Sequence, residues 1–139
     1  MIQTMKVGDR RTLRRVITQE DVRRFGEVTG DTNPAHFDEA YASTTRFKKP
    51  IVHGMFVGSL FSKIFGMNYP GKGTIYCSQS LTFLKPVYPG SPLTIEVVVK
   101  RIDVEKNRAY FDTLIHDAAG DLVVKGEAMV MPPKERAHG

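Results

Sequence analysis

The sequence has 139 residues, 41% of them hydrophobic and 25% charged, which suits one soluble domain with a single buried core and is too short for two. The net charge is +5 and the isoelectric point about 9.4, but the basic residues are scattered (Arg10, Arg11, Arg14, Arg15, then Arg23, Arg24, Lys48, Lys49, Lys100, Arg101) and are not interleaved with aromatics. That pattern speaks against nucleic acid and is compatible with a polyanionic small molecule, while no run approaches the roughly 20 apolar residues of a membrane helix.

Taken in chain order, residues 8–17 read as a short edge strand. Thr18 then stands where an N-cap belongs, with Asp21 three residues on and Val22 and Phe25 at helical spacing. This first helix is expected to end near Gly30. A second, short helix covers residues 38–43. A third spans 54–66 through Met55, Phe56, Leu60, Phe61, Ile64 and Phe65, apolar nearly all round as a buried helix requires. After Gly73 the chain changes to strands at 74–84, 93–103, 108–117 and 122–131, rich in β-branched and aromatic residues. Turn chemistry separates them at 86–92, 105–107 and 119–121, and short connections imply antiparallel pairing. Leu93, Ile95, Val97 and Val99 alternate with Thr94, Glu96, Val98 and Lys100, the mark of a half-buried strand. There is no repeat, low-complexity segment or linker, so residues 1–139 are expected to form one α+β domain, a curved antiparallel sheet wrapped around the apolar helix.

The segment densest in reactive groups runs from Phe25 to Ala42 and holds Asp31, Asn33 and His36 around Pro34. In a continuous helix Asp31 and His36 would face different directions. Pro34 forbids that helix, because proline disfavours the helical conformation in the residue before it. The turn can therefore bring carboxylate and imidazole into one small space, with Pro34 opening a new helix capped by Asn33 and His36 in its first turn. There the macrodipole disfavours imidazolium and a nearby Asp31 opposes it. A neutral imidazole beside a carboxylate is equipment for moving protons near neutral pH. The same residues also read as a plain turn, with Asp31 and Asn33 bonding their own backbone and His36 packing. The second segment is Pro50-Ile-Val-His-Gly-Met-Phe56. A glycine at the start of an apolar helix leaves backbone N–H groups approachable, and these can polarise a thioester carbonyl; equally, Gly54 can serve close packing alone. His53 reads as a core or supporting histidine.

Other signals fail. Residues 66–73 nearly match a phosphate-binding loop, but Gly73 stands where the metal-binding hydroxyl belongs, and the flanking elements are reversed. His36, His53, His116 and His138 lack short metal-ligand spacing, so no metal or other cofactor is expected. Cys77, the single cysteine, lies mid-strand and reads as a buried, inert thiol. With no partner for a disulfide and no signal-peptide layout in the first residues, a reducing cytoplasm is expected.

Together, Phe25-Gly-Glu-Val-Thr-Gly-Asp-Thr-Asn-Pro-Ala-His36, Phe47-Lys-Lys-Pro-Ile-Val-His-Gly-Met55 and the stretch 73–87 resemble, in order and over almost the whole chain, the (R)-specific enoyl-CoA hydratases and MaoC-like dehydratases. The resemblance implies a hot-dog fold, a homodimer or dimer-based oligomer, and a tunnel near the subunit interface. It implies reversible syn hydration of a trans-2-enoyl thioester, with Asp31 and His36 handling water and the α-proton. Gly54 would then be the oxyanion donor through its N–H, Asn33 the residue that fixes the turn, and Ser62 a supporting serine about two helical turns beyond Gly54. Position 35, often a larger aliphatic in that family, is Ala35 here, which bears on chain-length preference. The substrate it implies is an acyl-CoA or acyl-carrier-protein thioester. A carrier-protein dehydratase, a hot-dog thioesterase and a catalytically silent acyl-thioester-binding subunit are the alternatives.

Overall fold

The alternation of Leu93, Ile95, Val97 and Val99 becomes the buried face of the longest strand. Around it the computed structural model describes residues 1–134. In chain order the strands and helices are β1 (Arg10–Val16), α1 (Gln19–Thr29), α2 (Glu39–Ser43), α3 (Gly54–Ser59), α4 (Phe61–Lys63), β2 (Ile75–Gln79), β3 (Thr82–Phe83), β4 (Pro92–Asp103), β5 (Arg108–His116) and β6 (Leu122–Met131). Short 3₁₀ turns cover Ile2–Thr4 and Pro34–His36. The sheet is antiparallel and six-stranded in the order β1-β4-β5-β6-β2, with β3 also on β6.

The helical segment after Gly54 lies against this sheet, as the hot-dog arrangement requires. Phe65 meets Phe111 of β5 at 4.8 Å and Tyr76 of β2 at 5.1 Å, both edge-on. Phe61, Ile64, Phe65 and Phe111 are almost fully buried together with Ile95, Val97 and Ile115. Removing each such side chain from water contributes about 1.5–3 kcal/mol, so this is where the fold's stability is concentrated.

Three expectations are corrected. The single helix over 54–66 is instead α3, then α4, then a π turn at Ile64–Asn68. It is not buried all round either: Met55 is 63% exposed. The strand over 74–84 divides into β2 and β3 with a register shift between Tyr76 and Ser78. At the break the chain crosses so close to β6 that a Cβ on Gly126 would lie 1.8 Å from the Ser80 carbonyl oxygen, and only glycine fits. Cys77 is exposed rather than buried, because β2 is an edge strand whose outward face no described residue covers.

Candidate active site

The site begins where α1 stops. Thr18 and Asp21 form the reciprocal cap at its start, and Gly30, at φ 78°, ends it in the left-handed conformation that favours glycine. From there a chain of side-chain caps folds the next six residues. The Asp31 N–H donates to Thr29 Oγ1 at 3.2 Å, the Asn33 N–H to Asp31 Oδ1 at 3.2 Å, and the Ala35 N–H to Asn33 Oδ1 at 3.0 Å. The His36 N–H then donates to the Asn33 carbonyl at 3.0 Å. Asp31 and Asn33 thus bond the local backbone as in a plain turn, and that turn is what carries the imidazole back beside the carboxylate.

The ligand atoms of Asp31, His36 and His53 all lie within 4.8 Å of one another. His36 Nδ1 is 2.7 Å from the Ile51 carbonyl oxygen. A carbonyl only accepts, so Nδ1 carries the proton and Nε2 is left as a free base. His53 is 2% exposed, and its ring stacks on His36 with centroids 3.8 Å apart and planes inclined by 27°. The His36 pKa is lowered from its ordinary value, first by burial and then by the His53 ring; the Ile51 carbonyl and the Asp31 carboxylate pull the other way. The macrodipole argument does not hold, because His36 ends a three-residue 3₁₀ turn and does not sit in the first turn of an α-helix.

Spacing in sequence hid this two-histidine, one-carboxylate grouping. His36 Nδ1 and His53 Nε2 are already hydrogen bonded to the Ile51 and Asp31 carbonyls, which leaves one nitrogen of each ring.

Gly54 opens α3 directly after His53. The first bonds of that helix run from the N–H groups of Phe56 and Val57 to the His53 carbonyl, so the Gly54 N–H lies ahead of the ladder. A cavity of about 270 Å³ adjoins it, walled by Phe47, Val52, Val57, Phe83, Leu84 and Val124 among others. The Phe83 ring rests on Gly54 so closely that a Cβ there would meet it at 3.0 Å. Ser62, in α4, lies instead on a second cavity of about 390 Å³ with Met55, Ser59, Tyr76 and Gln79. His116 closes β5 away from this grouping, and His138 falls outside the described residues. Sequence reading missed the contact between His53 and His36 and the approach of Phe83. Neither has a local signal, since each depends on chain that returns from 17 or more residues away.

Among the described residues no helix is long and apolar enough to cross a membrane. The chain is 43% identical over 131 residues to the (R)-specific enoyl-CoA hydratase of Aeromonas caviae, covering 94% of this chain and 98% of that one. It is 37% identical to a mitochondrial 3-hydroxyacyl-[acyl-carrier-protein] dehydratase of Arabidopsis thaliana, covering 93% and 78%. The solved structure of an (R)-hydratase from A. caviae involved in PHA biosynthesis superposes with a TM-score of 0.91 over 94% of this chain and 99% of that one, at 43% identity. Residues 3–119 match the MaoC-like domain, and the chain belongs to that family.

Proposed function

We propose that this protein is a hydro-lyase that reversibly adds water, syn, to a trans-2-enoyl-CoA to give the (R)-3-hydroxyacyl-CoA. The observation that carries this reading is the Asp31 carboxylate held beside a His36 ring whose Nε2 is unprotonated and uncommitted, next to the start of α3. Asp31 and His36 hold the water between them. As its oxygen bonds to C3, one proton leaves to this pair and a proton is delivered to C2 on the same face. The negative charge that develops on the thioester oxygen meets the Gly54 N–H, a donor of a kind worth about 3–4 kcal/mol in a transition state. Asn33 fixes the turn through the Ala35 N–H and takes no part in the chemistry. Ser62, on the neighbouring cavity, supports the substrate without touching the reacting atoms.

The acyl group enters the cavity beside Gly54, whose apolar walls match it. CoA is favoured over a carrier protein as the carrier, because the enoyl-CoA hydratase of Aeromonas caviae is matched over almost its full length and the carrier-protein dehydratase of Arabidopsis thaliana over 78% of its own. The exposed edge along β6, with Ile75 of β2 near one end and Phe83 of β3 and Leu84 near the other, is covered by a second copy of the chain in a homodimer. A reducing compartment such as the cytoplasm suits the single exposed thiol of Cys77.

The test is hydration of crotonyl-CoA, followed by loss of enoyl absorbance, with the product's configuration read by an (R)-specific dehydrogenase. The expected result is (R)-product and a fall of about 100-fold or more in folded Asp31→Asn and His36→Ala. Turnover confined to carrier-protein thioesters, release of free thiol, or binding without turnover would each overturn the reading.

A further inference from the structure

His53 sits at the meeting point of the three chain segments that supply the site. Its Nε2 is 2.9 Å from the Asp31 carbonyl oxygen, a bond that spans 22 residues. Because the carbonyl only accepts, Nε2 must carry the proton. Nδ1 is then a bare lone pair, and it is buried with no hydrogen-bond partner. An orphaned buried acceptor destabilises the fold, a cost that an apolar side chain of the same shape would avoid. The imidazole is therefore not explained by packing alone. One ring face lies against His36, Phe25 approaches at 4.8 Å, and Phe37 meets the ring edge-on at 5.7 Å. Along the backbone, His53 is also the cap of α3, directly before Gly54.

We propose that His53 is a positioning residue for the hydration: by donating Nε2–H to the Asp31 carbonyl and stacking on His36, it holds carboxylate and imidazole in register with the start of α3. The bond matters because it fixes the Asp31 backbone, while the exposed Asp31 side chain is held, among the described residues, only by the Asn33 N–H. Without it Asp31 is held only by the long bonds to the Thr29 hydroxyl and from the Asn33 N–H, and a displacement near 1 Å at a reacting group can cost about 100-fold. The titratable groups that face His36 are Asp31 and His53, so the second ring also opposes a proton on His36. The inference rests on Asp31 and His36 being the reacting pair.

Two substitutions separate the bond from the shape. His53→Phe keeps the aromatic stack and removes the donor; His53→Gln removes the ring and keeps an amide N–H at similar reach. With crotonyl-CoA, His53→Phe is expected to lower kcat by about 10- to 100-fold with little change in KM, and His53→Gln to restore most of it. In both, the acid limb of the kcat/KM profile moves to higher pH, because the imidazole that opposed protonation of His36 is gone. Wild-type kcat in folded His53→Phe, or equal losses in the two variants, would overturn the proposal. A measurement that needs no variant is the ¹⁵N spectrum of the wild-type imidazoles: the Nε2–H tautomer at His53 is expected, and the Nδ1–H tautomer would overturn it. Full activity in Asp31→Asn and His36→Ala would remove the underlying assignment. Loss in those two with wild-type kcat in His53→Phe would remove only the role of His53.

Discussion

The sheet and the segment from Gly30 to Gly54 are held by opposite means. Along β5, and along β4 as far as Val99, every second side chain is buried, and the backbone is held by a continuous ladder of bonds to neighbouring strands. The segment that carries Asp31 and His36 buries almost no side chain of its own before Ala42, and its shape depends on a series of single side-chain-to-backbone hydrogen bonds. Stability in this protein is therefore spread over many contacts, whereas the geometry of the site rests on a few, each irreplaceable. Damage to the first should appear in unfolding and damage to the second in turnover.

The largest separation of the two is expected from Phe111→Ala. This ring is fully buried between Phe65 and Tyr69, and its loss should cost about 3–5 kcal/mol in denaturant unfolding. The kcat per folded molecule should be unchanged; a matching fall in kcat would mean that core and site are mechanically one unit. Gly54→Pro probes the other side. Proline is tolerated at the first helical position, and His53, at ψ 131°, already has the extended conformation that a residue before proline prefers. The substitution should remove the N–H donor and lower kcat by about 10²- to 10³-fold with α3 intact. Gly54→Ala crowds Phe83 in the same way, at 3.0–3.2 Å, but keeps the N–H. Equal losses in the two would assign the effect to Phe83.

Asn33→Ala should be smaller and should blur the contrast in an informative way. Loss of the cap on the Ala35 N–H should cost about 1 kcal/mol of stability. The kcat should fall at the same time, since the same bond sets where His36 lies. A stability loss with unchanged kcat would show that the turn survives without its cap.

The same contrast explains what the sequence discloses. The strands could be read because burial every second residue leaves a period in Leu93, Ile95, Val97 and Val99, and the cap at Thr18 and the stop at Gly30 are chemical signals confined to a few residues. The turn at Asn33-Pro34 was legible for the same reason. The break of the central helix into α3, α4 and a π turn was not, because its composition stays apolar throughout and the interruption answers to the sheet beneath it. Cys77 was misread because an edge position depends on strand order, which puts both β2 and β3 on the outer side of β6 and not beside β4, the next long strand in sequence. His53 was legible as a core or supporting histidine, and it is buried, but not in its partners: a histidine before a glycine looks the same whether or not a carbonyl 22 residues upstream returns to meet it.

The smallest expected effect is on stability against pH, and it bears on whether site and fold are coupled at all. His36 is half-buried, and its folded pKa lies below the ordinary value near 6.5, chiefly through burial. As pH falls through that ordinary value, the unfolded chain takes up a proton that the folded chain still refuses, so the unfolded state binds more protons and stability drops. The contribution is fully present above the unfolded value, and the decline ends once pH has passed below the folded one. Thermal melts of wild type and His36→Ala at steps from pH 7.5 to 5 should therefore converge, with the wild type losing more as the acid side is reached. Parallel curves would mean that the imidazole is as free to protonate in the folded chain as in the unfolded one. The stacked, carbonyl-anchored ring would then not be the neutral base that the hydration needs.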